Sequence, residues 1–153
     1  MYAHYSMMRS AWGDGGSQMT IERRQSVPGM HRIQINGHDV FSHVTASRRG
    51  KMIFVAGQLA SNEKGEIVGK GDMRAQLRQV CENVKSALAA SGATLDDLVQ
   101  TSTFVTSWEK FREAFDVRHE YLGKVLPTST TVQVTALAHP DYMVEISAIA
   151  MID

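Results

Sequence analysis

The sequence is poor in the features that fix a function class by themselves. A single cysteine, Cys81, stands among 153 residues. It excludes an intramolecular disulfide, and a lone thiol without companion ligands at metal spacing points away from a zinc site and toward a reducing compartment. Charge of one sign is also missing, because 16 Lys and Arg balance 16 Asp and Glu. No bulk field draws the chain to a phosphate backbone or an anionic membrane. No apolar run approaches the roughly 20 residues of a membrane span, and no basic segment precedes an apolar core at the start. The histidines, His38 and His43 among them, lack the helical pairing around an acid that marks a metal site. A glycine-rich phosphate loop is absent too. These absences predict a cytoplasmic protein with no membrane, nucleic-acid, metal or other cofactor partner.

What is present suffices for one core, with 43% hydrophobic residues in a chain of ordinary domain length. Residues 1 to 18 carry Gly13, Gly15 and Gly16 and read as a flexible N-terminal extension, leaving 19 to 153 as a single domain. Two β-prone runs, 43 to 47 and 51 to 57, flank Arg48, Arg49 and Gly50 and predict a hairpin. The second run is apolar on both faces and predicts cover on both. From Asp72, a plausible N-cap, Leu77, Val80, Cys81, Val84 and Leu88 recur at helical spacing as far as Gly92. Thr94 and Asp97 have capping-box spacing and lead into a strand from Val99 to Thr106. Ser107 opens a second helix with Phe111, Ala114, Phe115, Arg118 and Leu122 on one face, ended by Gly123.

Two last strands, 130 to 135 and 143 to 151, follow Pro127. Thr131, Gln133 and Thr135 on one, with Glu145 and Ser147 on the other, predict a shared polar face. The order ββαβαββ gives an α+β fold with two helices on one face of a mixed sheet. The other face then needs a partner, and its pattern of apolar hairpin and polar strands predicts sister subunits meeting around wet pockets.

Several stretches resemble one known family. They are Phe54-Val55-Ala56-Gly57-Gln58, Gly65-Glu66-Ile67-Val68, Gln79 to Lys85 with Ala90-Ser91-Gly92, Leu95 to Val99, Pro127 to Val134, and Val144 to Ala150. In this order they are similar to the Rid family, the reactive intermediate deaminases, whose older labels include translation inhibitor and endoribonuclease. The resemblance spans roughly residues 41 to 151. It implies a chorismate-mutase-like fold, a homotrimer, and three clefts between subunits. In deaminating members a cleft arginine holds the substrate carboxylate and a glutamate positions the attacking water. The glutamate matches Glu145, the cleft glycine Gly57, a small polar lining residue Thr131, and the aromatic of an N-terminal Tyr-Ser segment Phe41, followed by Ser42.

The arginine position matches Ser129. A guanidinium grips a carboxylate by two charge-assisted hydrogen bonds, which one hydroxyl cannot reproduce. Loss of such a partner in a cleft costs about 2 to 5 kcal/mol, so standard 2-iminopropanoate deamination is not the expected activity. Glu145 either positions water or pairs at the subunit interface. Ser129 either binds ligand beside the Gly57 backbone or merely replaces a discarded arginine. Arg118 either restores the positive charge from another direction or packs its stem and pairs at an interface. Cys81 reads as an inert core thiol. Three functions remain open. One is hydrolysis of a small reactive imine, enamine or related metabolite whose carboxylate is absent or placed elsewhere. The second is a non-catalytic trimer that binds a metabolite or partner protein. The third, RNA cleavage, is least compatible with the neutral charge.

Overall fold

The computed structural model describes residues 21–29, 31, 34–47 and 50–153; the extension expected at 1 to 18 lies outside them, as do Arg48 and Arg49. In chain order the elements are β1 (Glu22–Arg24), β2 (Gln34–Ile35), β3 (His38–Asp39), β4 (Val44–Ala46), β5 (Lys51–Gln58), α1 (Met73–Ala89), β6 (Leu98–Val105), α2 (Trp108–Glu113), α3 (Phe115–Leu122), β7 (Thr128–Gln133) and β8 (Val144–Ile152). A short 3₁₀ turn, Leu95–Asp97, precedes β6.

The main sheet has the order β5-β8-β6-β7. It is mixed, since β6 and β7 run parallel while β8 is antiparallel to both β5 and β6. Alternation sorts its side chains cleanly. Ile53 and Val55 of β5, Thr101, Thr103 and Val105 of β6, and Val144, Ile146, Ala148 and Ala150 of β8 are buried. They form one layer of the core with Leu77, Val80, Val84 and Leu88 of α1 and with Phe111, Phe115, Val117 and Leu122 of the second helical region. The expected α+β class and the helices on one face are therefore present.

Local signals set the helix ends. Asp72 accepts from the backbone N–H of Arg74 and Ala75 at the start of α1, satisfying donors that the first turn leaves unpaired. Gly92, with φ of +79°, supplies the left-handed residue after its end. The Asp97 carboxylate accepts from the Thr94 N–H at 2.8 Å, and the Ser107 hydroxyl accepts from the Lys110 N–H. The second helix is not continuous as expected, because Ala114 leaves helical geometry (ψ of 11°) and divides it into α2 and α3.

The predicted hairpin differs. Among the described residues β4 pairs with β1, Glu22 opposite Ala46 and Arg24 opposite Val44, while β5 pairs only with β8. The reason lies in what holds the segment before β5. Thr45 donates its hydroxyl to Val99 O, and Ser42 donates its N–H to Pro127 O. These bonds tie the segment to the β6–β7 side of the sheet, with β5 at the opposite edge. The expected cover over both faces of β5 is likewise missing within one chain: Met52 is 52% and Phe54 71% exposed.

Candidate functional site

The residues singled out in the sequence fall into two groups on opposite faces of the main sheet. Register makes this plain. Phe104 of β6 lies opposite Glu145 of β8 and beside Val132 of β7, and paired residues share a face. Thr101 lies beside Ser129, and Thr103 beside Thr131 and opposite Ile146. Glu145 therefore shares the open face with Phe54, Ser102 and Ser147, whereas Ser129 and Thr131 point toward the helices. The polar face expected to join Thr131 with Glu145 is not formed. Thr130 and Val132 occupy that face instead.

On the open face, Glu145 sits against Gly57. The pairing of β5 with β8 shifts between Val55 and Gln58, and this irregularity brings the glycine beneath the carboxylate. A Cβ at position 57 would collide with Glu145 Oε1 and approach its carboxyl carbon to 2.8 Å, so the seat depends on the missing side chain. Glu145 is half-buried, and among the described residues nothing donates to its carboxylate. Close by, a depression of about 190 Å³ is lined by Phe54, Gln100, Ser102, Ser147 and Ile149. A wider groove of about 790 Å³ runs from Gly57 and Gln58 to Gln79, Glu82 and Asn83 of α1.

The second group lies behind β7. Arg118 of α3 is 3% exposed. Its Nη1 donates to Val40 O at 3.1 Å and its Nη2 to Ser129 Oγ at 3.3 Å. Thr101 donates its hydroxyl to the same Ser129 Oγ at 3.1 Å. The guanidinium carbon stands 5.5 Å from the Phe115 ring centroid. No described carboxylate pairs with Arg118, and burial pushes its pKa down to about 10, which still leaves it charged at neutral pH. Phe41 lies in the strap that covers this group. On either side of it Val40 accepts from Arg118, and Ser42 donates its hydroxyl to Leu126 O at 2.6 Å. Leu126 itself has φ of +49°, a left-handed conformation that a branched residue rarely holds.

Phe41, Ser129 and Arg118 thus converge on one side, with Thr131 on the same face, and Gly57 with Glu145 on the other. Sequence reasoning missed Thr101, Thr103 and the Val40 carbonyl. The alternation along β6 marks both threonines as inward-facing, but nothing in the sequence names their partners. Cys81 is buried on α1, and burial pushes its thiol up to about 12, as befits an unreactive core residue. Among the described residues no cluster of His, Cys, Asp and Glu could hold a metal ion, and no helix is long and apolar enough to cross a membrane.

Fold and site together define a two-layer α+β protein with an uncovered sheet face, a glycine-seated carboxylate on that face and a buried arginine behind the edge strand. The family model described as Endoribonuclease L-PSP matches residues 34–152. A RutC family protein of Pyrococcus horikoshii is 39% identical over 106 residues, covering 69% of this chain and 82% of its own. A protein named 3-aminoacrylate deaminase RutC, from Acinetobacter baylyi, is 32% identical over 108 residues, 71% of this chain and 85% of its own. Among solved structures, the Rid family protein YyfB of Yersinia pestis aligns with a TM-score of 0.68 at 34% identity, over 74% of this chain and 87% of its own. A YjgF-family protein of Mycobacterium tuberculosis aligns at 0.59 and 31%, over 87% and 100%. The chain belongs to the Rid family.

Proposed function

We propose that this protein is a cofactor-free, cytoplasmic homotrimer that hydrolyses a small reactive imine or enamine in a cleft between subunits, and is not a standard 2-iminopropanoate deaminase. The observation that carries the reading is the Glu145 carboxylate seated on Gly57 with no donor of its own, free to hold a water. Imine carbon is already electrophilic, so one oriented carboxylate is sufficient machinery. Water held by Glu145 gives it a proton as the oxygen bonds to the imine carbon, and the C=N pair moves to nitrogen, which takes up a proton. The resulting carbinolamine expels ammonia as its hydroxyl proton is lost, leaving the carbonyl compound. An enamine enters the same sequence after protonation at carbon. The relative named as a 3-aminoacrylate deaminase supports this class of substrate.

A single sheet separates Glu145 from Ser129, Arg118, Phe41 and Thr131. A cleft that uses both groups must draw them from two copies, the β7 edge of one meeting the open face of another. The apolar exposure of Phe54 and Met52 supports that contact. Within the cleft, Gly57 and Thr131 line the ligand and Phe41 closes its entrance. The test is ammonia release from freshly generated 2-aminoacrylate and 3-aminoacrylate. The wild type should accelerate release from at least one of the two while falling well short of an arginine-bearing relative on 2-aminoacrylate, and Glu145→Gln should lose on the order of 100-fold while sedimenting unchanged. A wild type no faster than buffer sinks the deaminase reading. A second reading, binding without turnover, is favoured by Ser129 standing where the family resemblance places an arginine; it predicts a saturable ligand and no ammonia.

A further inference from the structure

The cluster behind β7 has an imbalance of hydrogen-bonding groups. Ser129 Oγ accepts from both Thr101 and Arg118, which occupies its lone pairs and leaves its own O–H without a described acceptor. Among the described residues Arg118 meets only neutral acceptors, the Ser129 hydroxyl and the Val40 carbonyl, which leaves N–H groups of the guanidinium to spare. Two residues along β6, on the same face, Thr103 is 1% exposed and its Oγ1 has no partner among the described residues. Buried polar groups normally find partners, and a buried cation normally finds a carboxylate. Beside Arg118 the loose ends are donors, the Ser129 O–H and the spare guanidinium N–H groups, around a positive charge. What such a cell lacks is an anionic acceptor.

We infer that Arg118, together with the Ser129 hydroxyl, is the anchor for the carboxylate of the small-molecule substrate, so that the protein takes short imino or enamino acids through a guanidinium supplied by α3 instead of β7. The inference rests on the function proposed above and names its substrate class. A planar carboxylate matches a guanidinium edge, and it outcompetes the Val40 carbonyl because its bond to Arg118 is charge-assisted on both sides. The ligand enters by displacing the strap at Val40 and Phe41, which gives up the Arg118–Val40 bond and pivots on the Ser42 ties to Leu126 and Pro127. With Phe115 beneath the guanidinium and desolvation around it, the same burial that depresses its pKa strengthens its hold on an anion once one arrives.

The experiment compares 2-oxobutanoate with 2-oxobutanamide, a neutral molecule of the same shape, by titration calorimetry on the full chain. Wild type should bind the acid at least about ten-fold more tightly than the amide, the margin a charge-assisted pair supplies. Arg118→Met should erase that preference by weakening the acid alone, Arg118→Lys should restore part of it, and Glu145→Gln should retain it in full. Equal affinity of wild type for acid and amide, or binding of neither, overturns the anchor. So does a preference that survives Arg118→Met, or a loss of both ligands together, which would make the arginine a structural tie. If Arg118→Met fails to fold, the wild-type ratio and Ser129→Ala decide, the latter being expected to weaken the acid several-fold and the amide hardly at all. Ammonia release judges the deaminase reading separately: an acid preference without ammonia sinks turnover and keeps the anchor, whereas ammonia release without acid preference does the reverse.

Discussion

At the scale of single residues, two positions carry most of the functional argument because each breaks a local rule. Gly57 is needed for space: its backbone angle is one any residue adopts, yet a methyl group there meets the Glu145 carboxylate. Because the obstructing atom is the far end of a flexible side chain, Gly57→Ala should fold with a thermal midpoint within a few degrees of wild type. Its ammonia release should nevertheless fall by about 100-fold, the penalty for misplacing a reacting group by about an ångström. A variant with full activity would detach the glycine from the carboxylate's task. Arg118 breaks a different rule, being a buried charge that no described carboxylate pairs. Its folded pKa, lowered to about 10 from 12.5, means that the unfolded chain binds this proton more firmly. Burial of the charged form therefore opposes folding below about pH 10, and the opposition fades as pH rises through the folded value. Arg118→Met should leave the ligand-free melting temperature at neutral pH unchanged or several degrees higher, as seen when unpaired charge gives way to apolar volume. A fall of comparable size in calorimetry would assign the arginine to stability.

Elements differ in how openly the sequence announces them. Helix α1 is written twice over, in the three- and four-residue recurrence of Leu77, Val80, Cys81, Val84 and Leu88 and in Asp72 at its start. Asp72→Ala should lower stability by about 1 kcal/mol, read as a midpoint a few degrees lower in a thermal scan, with ammonia release intact. Strand β8 was equally legible, since Val144, Ile146, Ala148 and Ala150 alternate with Glu145 and Ser147. Strand β7 was not. Apart from Val132, which faces outward, its residues Thr128 to Gln133 are polar or hydroxyl-bearing, so no apolar stripe marks the inner face, and a slip of one residue inverts the reading. That is why Thr131 was expected beside Glu145 and lies instead beside Thr103. The pairing of β4 with β1 was hidden for another reason: three-residue strands have no period to detect, and distant contacts at Val99 and Pro127 decide where they lie. Arg118 was legible as a member of an apolar helix face, but its arrival at Ser129 depends on the tertiary meeting of α3 with β7.

For the whole molecule, the open sheet face governs. Phe54 and Met52 lie bare on it beside the Glu145 seat, so the surface proposed to join copies and the one proposed to hold water are continuous. On the trimer proposed above, wild type should sediment as three chains, and Phe54→Glu should sediment as monomer and lose ammonia release even though every residue of both groups is intact. A trimer that persists with full activity would place the contact elsewhere.

The thickness of one sheet between Glu145 and Arg118 carries a genetic consequence. If every working cleft borrows its carboxylate from one chain and its guanidinium from another, two crippled proteins can repair each other. Glu145→Gln and Arg118→Met, unfolded together and refolded as mixed assemblies at equal ratio, should regain about a quarter of wild-type clefts by random combination. At substrate levels below the wild-type half-saturation, Glu145→Gln alone should stay silent and Arg118→Met alone should fall well below the mixed assemblies. Complementation of this kind belongs only to a centre shared between chains, and its absence would return both halves of the chemistry to a single polypeptide.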